Sequence, residues 1–168
     1  EGDTVVVGPG YYVENVTMKH GVALAGSGAD VTTIDGGGNG HVVLFMQADG
    51  GIRGFTVRNS GVFPSFYAGV YANQCSVFVT DCCLLDNKRG VYFTNNARGC
   101  ISRNYIVSNK SCGIVVKTSS CAITGNVIAK QSDGIYCDGA SPSVINNTIV
   151  FNSYAGIRCN PDTIQVIS

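Results

Sequence analysis

Apolar runs of three to five residues, set between Gly, Asn and Ser, fill this chain, and no stretch keeps the 3.6-residue period of a helix. The runs recur. A glycine followed by a short apolar strand returns at Gly69, Gly90, Gly113, Gly134 and Gly156, reading GVYA, GVYF, GIVV, GIYC and GIRC, a spacing of 21 to 23 residues. A second apolar segment in each unit gives a column of Val79, Ile101, Ile123 and Val144, and a third gives Leu84, Ile106, Ile128 and Ile149. Between these columns stand Cys82, Asn104, Asn126 and Asn147, and a unit closes near Asn87, Asn109, Gln131 and Asn152. Self-similarity at this spacing marks a solenoid whose units stack on their neighbours. Three strands per unit of about 22 residues predict a parallel coil in which each strand hydrogen-bonds to its own copy about 4.8 Å away. A leucine-rich repeat shares the period, but its spaced leucines and helical segment are absent.

Period-two alternation gives each strand a direction. In the glycine-led strands Val70, Val91, Ile114, Ile135 and Ile157 point inward, as do Ala72, Phe93, Val116, Cys137 and Cys159. The outward rows are then Tyr71, Tyr92, Val115, Tyr136 and Arg158, and beside them Asn73, Thr94, Lys117, Asp138 and Asn160. Asn104, Asn126 and Asn147 are expected to turn inward and bond one to the next, with Phe55 and Cys82 in the same column in earlier coils. The third strand is apolar outside as well, with Cys83, Tyr105, Val127 and Thr148 in one row and Leu85, Val107, Ala129 and Val150 in another. A strand apolar on both faces is usually covered, which predicts a lateral contact with another copy of the chain or with another domain.

The units GIVVKTSSCAITGNVIAKQ and GIYCDGASPSVINNTIVFN resemble the right-handed parallel β-helix repeats of the pectate-lyase-like superfamily. The stretches GDTVVVGPGYYVENVTM, GVALAGSGADVTTIDGGG and IRGFTVRNS resemble the opening coils of secreted β-helix proteins of the carbohydrate-binding and sugar-hydrolysis type. The resemblance implies an all-β fold: a single-stranded parallel β-helix of about seven coils with three short strands each, a secreted or cell-surface location, and a substrate groove outside the glycine-led sheet. It says little about activity, because such folds share stacking residues far more than a catalytic set.

At 168 residues the chain has the size of one domain, and residues 1–168 are read as a single β-helix. Net charge is zero with 13% charged residues, which leaves no basic stripe for nucleic acid. No apolar run approaches the 18 residues of a membrane span, and the opening residues have no signal-peptide pattern, so a mature or trimmed form is expected. Strand-like TVVV after Glu1 and the closing TIQVIS come without a covering segment, so the chain is read as a fragment of a longer protein, or as stacking end to end on another copy. Its eight cysteines form no CxxC pair. Cys137 and Cys159 share one inward position of adjacent coils, where they can form a bridge or serve as small core fillers. Cys75, Cys100, Cys112 and Cys121 are assigned to turns.

Tyr71, Tyr92 and Tyr136, spaced by one coil, offer flat apolar faces beside Asn73, Lys117, Asp138 and Arg158, a pattern suited to the C–H faces and hydroxyls of a polysaccharide. The segment SGVFPSFYA, residues 60–68, adds Phe63, Phe66 and Tyr67 at the edge of that strip. The same tyrosines could equally do no more than pair across strands. For chemistry, Asp133, Asp138, Lys117 and Arg158 are the candidates, with Lys88, Arg89 and Lys110 assigned to bordering turns, although an Asp beside a Lys is commonly a surface ion pair. The paired aspartates and Gly-His-Gly of polygalacturonase-like hydrolases are missing, no lyase calcium cluster is visible, GGGNG at 36–40 lacks the lysine of a nucleotide loop, and His20 and His41 read as turn residues. No metal and no cofactor are expected. Three functions remain open: a non-catalytic carbohydrate-binding or scaffold module, a polysaccharide lyase, hydrolase or epimerase, and a self-assembling rod. Self-association would run through Tyr105, Val107, Val127, Ala129 and Val150 or through open coil ends.

Overall fold

The computed structural model describes residues 2–63 and 66–160, so the expectation placed on the closing TIQVIS lies outside the described residues. The described chain is a right-handed parallel β-helix of seven coils, its strands forming three seven-stranded parallel sheets. The glycine-led sheet includes Val70–Asn73, Arg89–Thr94, Cys112–Lys117, Asp133–Asp138 and Ala155–Cys159. The second sheet includes Ser76–Thr80, Arg98–Ser102, Ala122–Thr124 and Ser143–Ile145, and the third Cys83–Leu85, Tyr105–Val107, Val127–Ala129 and Thr148–Val150. No helix among the described residues is long and apolar enough to cross a membrane.

Register follows the repeat. Val79, Ile101, Ile123 and Val144 pair in sequence across the second sheet, as do Leu84, Ile106, Ile128 and Ile149 across the third. Ile101, Ile106, Ile114, Ile123, Ile128 and Ile135 are fully buried, and with Phe45, Phe55 and Phe93 they fill the axis of the coil. Burial of side chains this size stabilises by about 1.5–3 kcal/mol each, and like stacked on like repeats that gain in every coil.

The repeat glycine has a steric reason. A Cβ on Gly113 would point into the coil, 2.7 Å from Gly134 O and 2.8 Å from both Gln131 Nε2 and Ile128 Cγ2. A side chain there would push apart the next strand, the isoleucine column and the buried amide at once.

Two amide columns close the corners around the third sheet. Asn104 Nδ2 donates to Asn126 Oδ1 at 3.0 Å, and Asn126 Nδ2 to Asn147 Oδ1 at 2.9 Å. Asn126 Nδ2 also donates to Ile101 O, and Cys82 N donates to Asn104 Oδ1. The second column is built from Asn87, Asn109, Gln131 and Asn152, each taking the backbone N–H of the preceding coil: Asn87 N to Asn109 Oδ1 at 3.1 Å, then Asn109 N to Gln131 Oε1 and Gln131 N to Asn152 Oδ1, both at 3.2 Å. These corner backbones run against the core, where water cannot reach, so the side chains supply the missing acceptors.

Cys100 and Cys112 depart from their expected turn positions, lying in the strands Arg98–Ser102 and Cys112–Lys117. Their neighbours extend the sheet pairing one residue into the corner, which a reading based on apolar runs places in the turn.

Candidate functional site

Register brings Tyr71, Tyr92, Val115, Tyr136 and Arg158 into one outward column of the glycine-led sheet. The three tyrosines are half-buried. Val115, outward by alternation, is only 2% exposed, because a short side chain between Tyr92 and Tyr136 is sheltered by both. In the second row Thr94 is buried as well, while Asn73, Lys117, Asp138 and Asn160 reach the surface.

The tyrosines do not lie flat in a row. Tyr71 and Tyr92 meet edge to face, centroids 5.3 Å apart at 86°, the preferred geometry of two ring quadrupoles. Each tyrosine also stacks with a basic side chain. His41 lies over Tyr71 at 4.1 Å between centroids, Arg89 Cζ sits 4.8 Å from the Tyr92 centroid, and Arg158 Cζ sits 3.9 Å from that of Tyr136. Each contact combines ring stacking or cation–π attraction with coverage of one ring face.

Both His41 and Arg89 belong to this face: His41 lies outside the strands, as expected, whereas Arg89 departs from its expected turn. Arg89 opens the strand Arg89–Thr94. His41 accepts the Ala68 N–H at Nδ1, 3.2 Å away, and holds Tyr67 edge-on at 5.1 Å, with Phe66 packed on Tyr67 at 5.2 Å. The aromatic end of the strip is thus assembled from residues of the 60–68 segment and an earlier coil. Burial, and then the Arg89 charge, lower the His41 pKa to about 4, so the ring is neutral at physiological pH.

The charged end is internally matched. Asp133 is not at a turn but begins the strand Asp133–Asp138, where it is buried and grips Arg158 with two bonds, Nε at 3.2 Å and Nη2 at 2.7 Å. Lys117 Nζ reaches Asp138 Oδ2 at 2.9 Å, and Asn160 Nδ2 donates to Asp138 Oδ1 at 2.9 Å. Those two bonds, Lys117 first, hold the Asp138 carboxyl below its ordinary range. At the far end Asn73 Nδ2 donates to the Tyr71 hydroxyl at 3.1 Å. The sequence-predicted residues therefore share one face about five coils long, with Phe66 and Tyr67 at one end and Asp138 and Arg158 at the other.

The family model described as "Periplasmic copper-binding protein (NosD)" matches residues 1–165. No curated protein matches the chain in sequence. Among solved structures, the pectin methylesterase PemA from Erwinia chrysanthemi superposes with a TM-score of 0.66 at 13% identity, over 88% of this chain and 56% of its own. The catalytic unit of the thermostable GH87 alpha-1,3-glucanase from Streptomyces thermodiastaticus gives 0.61 at 16% identity, over 86% and 34%. The pectin methylesterase from Yersinia enterocolitica gives 0.53 at 13% identity, over 92% and 64%. The chain spans little more than half of PemA, and at these identities the likeness is one of fold, the right-handed parallel β-helix.

Proposed function

This chain belongs to the NosD family of periplasmic β-helix proteins, and from that premise we propose that it is a non-catalytic carbohydrate-binding module of an exported protein. The ligand is a polysaccharide lying along the glycine-led sheet against Tyr71, Tyr92 and Tyr136, with Asn73, Lys117, Asp138 and Arg158 bonding its hydroxyls and Phe66 and Tyr67 bounding one end. The observation that carries the reading is the row of tyrosines, each half-exposed and each braced from one side by a basic residue, on a sheet whose register is fixed by the core. Braced rings lose little entropy on binding, which favours recognition of a weakly hydrophobic ligand such as a sugar chain.

A cleaving role is less well supported by the same geometry. Both carboxylates of the strip are engaged, Asp133 by Arg158 and Asp138 by Lys117, and a general acid needs a carboxyl free to carry a proton near neutrality. The copper of the family's description also meets a poor donor set. Among the described residues no three His, Cys, Asp or Glu side chains gather within ligating reach, His41 spends Nδ1 on a backbone amide, and burial pushes the thiols of Cys82, Cys121 and Cys137 up to about 12.

The module is further read as one β-helix domain of a longer exported protein, associating through the third sheet at Tyr105, Val107, Val127 and Val150; Ala129, expected on the same surface, is buried and takes no part. A glycan array, run with reducing-end and unsaturated-product assays, tests the main reading. Binding without turnover, weakened at least about tenfold by the Tyr92→Ala, Tyr136→Ala pair, is expected. Turnover, or binding indifferent to that pair, would overturn it.

A further inference from the structure

The chain carries three Asn-x-Ser/Thr triplets, Asn15-Val16-Thr17, Asn109-Lys110-Ser111 and Asn146-Asn147-Thr148, the acceptor pattern of N-linked glycosylation in exported proteins. The fold sorts them by what each amide is already doing. Asn109 is 2% exposed and stands in the second amide column, where Nδ2 donates to Leu84 O and Oδ1 accepts the Asn87 N–H. Asn15 is exposed, but its Nδ2 spends both protons, on Asn39 O and His41 O at 2.8 Å each. A glycosyl group replaces one amide proton, so on Asn15 it would break one of those bonds and crowd the loop they hold.

Asn146 differs on each count. It belongs to the corner column of Asp81, Arg103, Gly125 and Asn146, with φ of 53°, 54°, 64° and 55°, which turns the chain from the second sheet into the third. Asn147 turns inward and donates to Ile123 O at 2.7 Å, while the residues on either side of it, Asn146 and Thr148, are both exposed. The Asn146 amide makes no hydrogen bond to any described residue; the bonds at this corner are made by Asn147. Beside Asn146 in the preceding coil stands Gly125, whose N–H donates to Ile145 O at 3.2 Å. A Cβ on Gly125 would meet nothing nearer than Arg103 Cγ at 4.0 Å, so the space next to the Asn146 side chain is open. We infer that Asn146 is the acceptor for an N-linked glycan, and that the fold denies that role to Asn15 and Asn109. In the transfer, Asn146 Nδ2 bonds to C1 of the reducing-end sugar of a lipid-phosphate- or lipid-pyrophosphate-linked oligosaccharide. The C1–O bond to the phosphate breaks, the lipid phosphate leaves with that electron pair, and one amide proton passes to the base of the transferase. Thr148 supplies the hydroxyl that the pattern requires. This corner is the one that the glycine-led sheet does not share, so the glycan leaves the proposed binding strip clear.

The inference takes from the proposed function only the export of the chain. Its test is intact-mass measurement and glycopeptide mapping of the chain purified from its native host, beside the variants Asn146→Gln, Thr148→Val, Thr148→Ser and Asn15→Gln expressed there. The expected result is one oligosaccharide per chain, lost in Asn146→Gln and Thr148→Val and kept in Thr148→Ser and Asn15→Gln. A thermal melt of each variant shows that the coil is intact. Thr148→Val suits the strand Thr148–Val150 and leaves the positive-φ corner alone, so it separates loss of the acceptor pattern from loss of fold. An exported chain with a bare Asn146, or with a glycan on Asn15 or Asn109, overturns the inference and leaves the binding strip untouched. A chain confined to the cytoplasm removes export and this inference together, whereas a strip that binds no glycan removes the proposed ligand and not the acceptor at Asn146.

Discussion

Arg158 lies over the Tyr136 ring at 3.9 Å while its guanidinium is held by Asp133 at 2.7 Å, so a buried carboxylate sets the position of an arginine that in turn braces a surface ring. Asp133 has a side-chain exposure of 5% against 40% for Arg158, which makes the acid the fixed member of the pair. Asp133→Asn keeps the shape and removes the charge, leaving the arginine half-solvated instead of stranded. We expect a loss of about 1–2 kcal/mol, below the cost of breaking a fully buried pair, together with weaker glycan binding. Urea denaturation reads the first and calorimetry the second. An unchanged unfolding midpoint would show that the pair is decorative.

The asparagine column gives a larger effect. Asn126 is 1% exposed, accepts from the N and Nδ2 of Asn104, and donates to Ile101 O and Asn147 Oδ1. Asn126→Leu conserves volume but strands polar atoms in two neighbouring coils. A destabilisation of about 3 kcal/mol is expected, and equilibrium unfolding measures it. A loss under about 1 kcal/mol would mean that water or local movement replaces those bonds.

The stacking columns were legible in the sequence because a solenoid is nearly one-dimensional: residues one period apart become neighbours, so Ile101, Ile123 and Val144 could be lined up by counting. The same signal marked Asn87, Asn109, Gln131 and Asn152, yet their bonding role went unread, since a polar residue at a unit boundary also looks like an ordinary turn. His41 was out of reach for another reason. It stands 30 positions before its partner Tyr71, because the 60–68 segment lengthens that coil beyond the repeat. Corner conformations were hidden too. Arg103, Ser108, Lys130 and Phe151 take positive φ of 54°, 55°, 63° and 56°, and only the stacking of corner on corner, not their intrinsic preference, puts them there.

Phe151 makes that corner strain measurable. At φ 56° and 83% exposed, its ring gains little from burial while its backbone sits in the left-handed region. Phe151→Asn places a residue that tolerates this conformation, so stability should rise by about 0.5–1 kcal/mol. A lower melting temperature would instead reveal a packing role for the ring.

His41 predicts a pH response with a definite sign. Its pKa is about 4 in the fold against 6.5 for the free side chain, so between those values the unfolded chain binds a proton that the native chain refuses. The stability contributed by the neutral ring is full above about pH 6.5 and is lost as the pH falls toward 4. Allowing for the ring's partial exposure, about 1–2 kcal/mol should disappear over that window. Comparing urea midpoints at pH 7 and 4.5 for the native chain and for His41→Phe isolates the effect, since the variant keeps an aromatic partner for Tyr71 but has nothing to titrate. Equal losses in both would place the acid sensitivity elsewhere.

The cysteines separate by burial and protonation. Cys82, Cys121 and Cys137 are buried with pKa values pushed to about 12, chiefly by desolvation, and Cys75 and Cys112 are buried with pKa values raised for the same reason. Only the thiolate attacks an alkylating agent, so these five should stay silent in the native state at pH 7.5. Cys83, Cys100 and Cys159, which are half-buried, should react first, Cys83 the slowest of the three because desolvation raises its thiol pKa as well. Oxidation adds a second discriminator, because Cys137 and Cys159 are in-register neighbours of parallel strands and lie within the span of a disulfide. Mild oxidation should therefore protect Cys159 from alkylation and leave Cys83 and Cys100 reactive, with a mass loss of two hydrogen atoms, taken up by the added oxidant, that Cys137→Ser abolishes. Peptide mapping after native alkylation follows each thiol, and rapid labelling of Cys121 or Cys137 before any unfolding would show that the coil opens far more easily than its stacked core allows.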